Sequence, residues 1–280
     1  MSAAGSAGVT VVLSGGGAKT AAHIGAARAV EEAGMTPVRY VATSMGAVVA
    51  AALAAGVDRT ALPARLGAVG RAGVVREPFA VARGLFSRGL LRAAPFRRAV
   101  EQLVPVRRFA ELSVPITVSV VDLDTGELLL FGEGGEDAAL VDVLCASCAL
   151  PVYYAPVRLA GRRCGDGGLR GPLPLDVAAR LARETVVAVD VGPGLDATAA
   201  QAPGNAPPVV RAHDDAVGAL MATATATQLA LWRAASGRPP LVYVRPRVER
   251  DATFRVDRIG DYVEHGYLAT REALAAAARP

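Results

Sequence analysis

Short runs of β-branched and apolar residues recur along the chain. Each ends in small or polar residues, and several are followed by a longer apolar stretch. Residues 9–13 (Val-Thr-Val-Val-Leu), 38–43, 116–121, 127–131, 185–191 and 241–244 carry the strand pattern. Helical spacing predicts a helix after residue 20 that runs to about residue 33 and stops at Gly34. A second, Ala/Val-rich helix follows residue 44 and stops at Gly56. Further helices are predicted over 137–146, 175–182, within 213–235 and over 259–278. Asp124-Thr125-Gly126 is a turn signal and predicts a hairpin between the strands at 116–121 and 127–131. Residues 152–156 read as extended chain, 192–208 as a flexible loop, and 1–8 as a frayed end. The order strand, glycine loop, helix, strand, serine, helix opens a parallel α/β sheet.

Two long uncharged stretches need separate treatment. Residues 40–57 and 216–232 carry no charge, yet both fall short of the ~20 apolar residues a membrane span needs. They read as buried helices, apolar on most faces. Residues 58–110 are less regular. Within 83–98, Arg83, Arg88, Arg92, Arg97 and Arg98 alternate with Gly84-Leu85-Phe86 and Leu90-Leu91. Such a basic amphipathic segment either lies on a lipid surface or packs its apolar side on the protein with its arginines solvated. Pro95 is expected to separate two short helices there.

Composition narrows the partners. The 280 residues are half apolar, enough for a sizeable core in one domain spanning 1–280, although much of that is alanine. The net charge of +4 comes from arginine, with Lys19 the only lysine. A charge of that size permits weak attraction to anionic lipid. Aromatics are few, which argues against platforms for stacked bases, so no nucleic-acid partner is expected. Cys145, Cys148 and Cys164 form no even-numbered framework and no Cys/His cluster accompanies them. They read as buried free thiols in a reducing compartment. No basic region precedes the first apolar run, so no secretory leader is expected and a cytoplasmic location is.

Three stretches carry candidate chemistry. Ala42-Thr43-Ser44-Met45-Gly46 joins a strand to a helix and has the pattern of a nucleophile elbow, with Ala42 where the first glycine usually stands. The small neighbours, Gly46 above all, let the Ser44 hydroxyl project from a tight turn. The competing reading makes Ser44 a helix cap. Ser14-Gly15-Gly16-Gly17-Ala18-Lys19-Thr20 lies between the first strand and helix. Its glycines allow close approach of a ligand and leave N–H groups pointing at it. Such a loop is an oxyanion hole, a phosphate loop with Asp190 as a magnesium ligand, or a tight turn only. Cys164-Gly165-Asp166-Gly167-Gly168 places a carboxylate among glycines, which by itself reads as a surface turn.

These stretches, in this order, resemble the patatin-like phospholipase family, in particular its compact bacterial members. The matching pieces are Gly15-Gly16-Gly17 with Ala22-His23-Ile24-Gly25, then Thr43-Ser44-Met45-Gly46-Ala47. Later come Asp122-Leu123-Asp124-Thr125-Gly126-Glu127, Ala146-Ser147-Cys148-Ala149-Leu150-Pro151, Asp166-Gly167-Gly168 and Glu264-His265-Gly266-Tyr267. The resemblance implies a three-layer αβα fold with a central, mostly parallel sheet. It also implies hydrolysis of lipid or acyl esters by a Ser–Asp dyad, with no metal and no cofactor. Carried over, Ser44 is the nucleophile, Asp166 its base, and Gly15, Gly16 and Gly17 the oxyanion hole, with Gly46, Gly167 and Gly168 in support. Peripheral membrane contact through 83–98 fits such a substrate. Ala42 and Thr20 stand where the family usually has glycine. They leave open a second reading, an inactive scaffold that binds lipid or regulates another protein.

Overall fold

The computed structural model of the protein describes residues 7–74, 89–194, 208–249 and 255–279. Eight strands form one sheet: β1 (Ala7–Leu13), β2 (Met35–Thr43), β3 (Ile116–Asp122), β4 (Leu128–Gly132), β5 (Val157–Leu159), β6 (Arg162–Asp166), β7 (Thr185–Val189) and β8 (Leu241–Val244). Their order is β5-β6-β3-β2-β1-β7-β8, with β4 also paired to β3. The pairs among β3, β2, β1, β7 and β8 are parallel. Those of β4, β5 and β6 are antiparallel.

The period-2 alternation of the strands sorts their residues into two cores. Val11, Leu13, Ala42, Val187 and Val189 enter one. Val12, Val41, Val186 and Ala188 enter the other. Helices cover both faces, which makes three layers. The larger core is closed by α1 (Ala22–Glu32), α2 (Met45–Ala54), α3 (Leu62–Gly73), α4 (Ala93–Leu103), α5 (Leu140–Ser147) and α8 (Ile259–Ala277). The smaller is closed by α6 (Leu175–Leu181) and the C-terminal part of α7 (Pro208–Ala234), through Leu229 and Trp232.

The register of β3 decides where the chemistry sits. A strand has two edges. β4 occupies one, from Thr117 to Val121. β2 pairs along Ile116–Ser119 and β6 along Val120–Asp122, so both lie on the other edge, one beyond the other. β2 runs parallel to β3 and ends at Thr43, opposite Ser119. β6 runs antiparallel and ends at Asp166, opposite Val120. The two strands meet head to head.

Several sequence expectations are corrected. Residues 40–43 belong to β2, not to a helix. The helix expected within 213–235 begins at Pro208, and 216–232 is only half buried. Pro95 lies in the first turn of α4, where no N–H is needed, rather than between two helices. α5 starts at Leu140, not 137, because Ala139 stays extended and the Leu140 N–H donates to the Arg107 carbonyl. Residues 152–156 turn instead of running extended, with Val152 at φ 70°. Of the basic segment 83–98, residues 83–88 lie outside the described residues. So do 1–6 of the expected frayed end and 195–207 of the loop expected over 192–208. The described part of the basic segment buries Phe96, while Arg97 bonds Glu101 and Asp142.

α1 and α8 cross at a pair of glycines. A β-carbon on Gly25 would overlap the Val263 carbonyl, and one on Gly266 would overlap the Ala22 carbonyl. The segments 22–25 and 264–267, distant in sequence, are therefore one packing feature. Nothing lies within 4 Å of a β-carbon built on Gly260, in the same helix. Glycine to alanine in a helix normally stabilises by up to ~1 kcal/mol, whereas forced overlap costs about 1–3 kcal/mol. Gly266→Ala is expected to lower the urea midpoint and Gly260→Ala to raise it or leave it unchanged.

Candidate active site

Ser44 stands between β2 and α2 with φ 54° and ψ −136°. That region is nearly closed to residues with a β-carbon and costs about 1–3 kcal/mol to hold. Its side chain makes no cap bond to α2. It is not the helix cap that one reading allowed. Ser44 Oγ donates instead to Asp166 Oδ2 at 2.7 Å. A β-carbon on Gly46 would overlap the Ser14 carbonyl, so α2 starts in contact with the end of β1. Ala42 lies inside β2 opposite Leu13 and Val118, and its φ is not positive, so the methyl is accommodated.

The strain is held by a chain of hydrogen bonds. The Ser44 N–H donates to Ser147 Oγ at 2.8 Å. Ser147 Oγ donates to the Ser119 carbonyl at 2.8 Å. Thr43 Oγ1 and Ser119 Oγ also share a hydrogen bond. Thr43, Ser119 and Ser147 are all buried. Four elements, β2, β3, α5 and the elbow, are thus joined at one point. Sequence reasoning did not assign Ser119 or Ser147. Ser147 lay in a quoted motif without a role. Ser119 is a polar residue, alternating with Thr117, inside a wholly buried strand, and that pattern was its signal.

Asp166 is 4% exposed, so it is not the surface turn its glycine setting suggested. Its N–H donates to the Ala149 carbonyl at 3.1 Å. Its Oδ1 accepts from the Gly168 N–H at 2.8 Å. A β-carbon on Gly167 would overlap the Ser119 backbone, which fixes the loop against β3. Burial pushes the Asp166 carboxyl up to about 6, while hydrogen bonds from Ser44 and Gly168 pull it down. The raised carboxyl is a stronger base than an ordinary aspartate and is ionised above its pKa.

The glycine loop passes directly beneath Ser44: a β-carbon on Gly15 would lie 3.1 Å from Ser44 Cβ. The Gly15 N–H donates to the Pro172 carbonyl at 2.9 Å, so it is not free for a ligand as expected. Gly16 and Gly17 are part-exposed, and their N–H groups have no acceptor among the described residues. Thr20 turns inward and donates to the Gly17 carbonyl at 2.7 Å. Lys19 is buried beside it. His23 Nε2 lies 2.8 Å from the Ser14 carbonyl, an acceptor, so this nitrogen carries the proton. Burial lowers the imidazole to about 4, so it is neutral and holds the loop. The carboxylate of Asp190 is taken by Arg245 at 2.8 Å, the Tyr243 hydroxyl at 2.8 Å and the Gly192 N–H at 2.9 Å. It presents no free oxygen for a metal in a phosphate-loop arrangement, and no His/Cys/Asp/Glu cluster among the described residues could hold one.

Cys148 is buried against Ser44 and Asp166, and burial pushes its thiol well up. Burial raises Cys145 likewise, and both free thiols pack into or against the larger core. Two surface concavities, of about 550 and 380 Å³, include neither Ser44 nor Asp166. Among the described residues no helix is long and apolar enough to cross a membrane.

The strain at Ser44 has a measurable sign. Ser44→Gly relieves the positive φ, whereas Ser44→Ala keeps the β-carbon. Ser44→Gly is therefore expected to be the more stable of the two by about 1 kcal/mol or more, despite glycine's usual entropy cost. Equilibrium urea unfolding of both variants checks this.

The sequence and the fold have counterparts in known proteins. The family model described as patatin-like phospholipase matches residues 11–179. An uncharacterized NTE family protein of Mycobacterium tuberculosis is 34% identical over 197 residues, covering 68% of this chain and 52% of that protein. Patatin-like phospholipase domain-containing protein 6 of Homo sapiens is 29% identical over 189 residues, covering 66% of this chain and 13% of that protein. The chain thus spans about half the length of the mycobacterial relatives it matches. VipD from Legionella pneumophila shares the fold: its solved structure aligns over 98% of this chain and 67% of that chain, with a TM-score of 0.50 and 18% identity. The matched span holds the glycine loop, the Ser44 elbow and Asp166, and covers more than half of the sequence, so the chain belongs to the patatin-like phospholipase family.

Proposed function

We propose that the protein is a serine acyl hydrolase of lipid esters, working through a Ser44–Asp166 dyad. The observation that carries this reading is the 2.7 Å hydrogen bond from a strained elbow serine to a buried carboxylate. Ser44 Oγ attacks the ester carbonyl and its proton passes to Asp166 Oδ2. The carbonyl oxygen becomes an oxyanion, received by the free N–H groups of Gly16 and Gly17. Collapse breaks the bond to the alcohol, which leaves with the proton from Asp166. Water then attacks the acyl-Ser44 ester, again giving a proton to Asp166, and the fatty acid departs as Ser44 regains its hydrogen. Gly15 serves by its lack of a side chain, not by its N–H.

The magnitudes suit a dyad. A positioned base contributes roughly 10²–10⁴-fold, and one oxyanion donor roughly 10²–10³-fold. No histidine is needed: His23 is committed to Ser14, and His213 and His265 lie on α7 and α8. Lipid esters are the substrate class that the family description, patatin-like phospholipase, and the like name of the human relative point to.

The test is labelling by a fluorophosphonate probe, together with hydrolysis of a short-chain ester. Ser44→Ala is expected to abolish both, and labelling of that variant at another residue overturns the assignment. Asp166→Asn keeps an acceptor for Gly168 but cannot take a proton, so turnover is expected to fall by roughly 10²–10⁴-fold in a folded protein.

The pH profile gives a separate check. Asp166 must be ionised to act as base, so activity is present above its pKa and lost below it. We expect kcat/KM to fall about tenfold per pH unit below an inflection near 6. An inflection near 4 would place the base in an ordinary solvated setting.

A further inference from the structure

The 27-residue helix α7 is buried on one side only, by Val210, Ala222, Thr225, Leu229 and Trp232. On its other side Val209, Leu220 and Leu231 stand 75%, 71% and 64% exposed. They recur every eleven residues, close to three turns, so they form one stripe along the helix. No charged residue occurs from Ala216 to Trp232. A solvated helix face normally carries charge, so this uncharged face is suited to a different environment. We propose that the exposed face of α7 rests on a lipid surface and brings ester substrate to Ser44. This rests on the acyl-hydrolase reading above.

Position, charge and area select lipid as the occupant. Leu220 is followed by Met221, whose methyl would be 3.2 Å from a β-carbon on Gly168, itself next to Asp166. The exposed stripe and the wall of the site are therefore adjacent faces of one helix. Arg211 and Arg233 each lie two positions from a stripe residue and so point away from the stripe, and Arg238 donates to the Ala179 carbonyl at 3.0 Å beside the Trp232 ring, so attraction to anionic headgroups rests on the net charge of +4. Of the nearby acids, Asp214 is held by the Tyr153 hydroxyl at 2.5 Å and by His213 at 3.1 Å, while Asp215 is exposed. A second copy of the chain is a poorer occupant. One face of a helix roughly 40 Å long and ~10 Å across offers about 400 Å², against the ~800 Å² per partner of a stable protein interface. A bilayer needs no shape complementarity and can use so narrow a strip.

The experiment is vesicle flotation with Ser44→Ala protein, so that hydrolysis does not alter the membrane. Vesicles of phosphatidylcholine alone, and with phosphatidylglycerol added, are compared. The protein is expected to float with the vesicles, more so with the anionic lipid. Leu220→Glu together with Leu231→Glu, both at exposed positions, is expected to cut the bound fraction roughly tenfold or more. In the Ser44 background the same pair should leave hydrolysis of a water-soluble ester unchanged, which also shows that it folds. Absence of flotation, or equal flotation of the double variant, overturns the proposal. So does a dimer in sedimentation that the two substitutions dissociate without any vesicle binding. Failure of the acyl-hydrolase reading shows separately, as short-ester turnover that survives Ser44→Ala.

Discussion

Everything at the site depends on one strand edge. β2 and β6 share an edge of β3 and end head to head, Thr43 opposite Ser119 and Asp166 opposite Val120. Two residues 122 positions apart in sequence thereby stand 2.7 Å apart at their side chains. The positions are set by backbone ladders rather than by loops, and a ladder cannot slip by one residue without turning every buried side chain over. A serine hydroxyl and a carboxylate held in this way need little reordering when a proton moves between them.

Two costs are built into that junction, and the surroundings offset them. Ser44 occupies a backbone region disfavoured for any residue with a β-carbon. Its N–H is held by Ser147, which is held by Ser119, so the unfavourable turn is over-determined from β3 and α5. Asp166 is a carboxylate buried to 4% exposure. Only two hydrogen bonds, from Ser44 and Gly168, favour its charged form, and they do not cancel the effect of burial. The result is a carboxyl raised towards neutral pH, as the proposed base needs. Full compensation, for instance by an arginine, would leave a quieter and weaker base.

The crossing of α1 and α8 acts on the same site from behind. Gly25 and Gly266 let the two backbones touch, which fixes α1. α1 carries His23, whose imidazole holds the Ser14 carbonyl, and Ser14 opens the glycine loop. A histidine one would suspect of catalysis is in this way a structural link, kept neutral by burial.

By itself the sequence determined the order of β1 to β4, β7, β8 and most of the helices, because period-2 and period-3.6 patterns are local properties, but β5, β6 and α3 were not read from it. It also marked Ser44 and the glycine loop, since Gly-rich turns beside strands are conspicuous in a chain, whereas Asp166 was marked only through the family resemblance. It misjudged features that depend on what packs nearby. Asp166 reads as a surface turn because its glycines are local, whereas its burial comes from β3 and from the 149–151 turn. Residues 216–232 read as a buried helix because uncharged residues usually are, but no described element covers that side of α7. The Gly15 N–H is indistinguishable from those of Gly16 and Gly17 until Pro172, far along the chain, takes it. The roles of Ser119 and Ser147 likewise exist only once β3 and α5 meet the elbow. Tertiary structure decided these points because hydrogen-bond partners and exclusion from water come from residues remote in sequence.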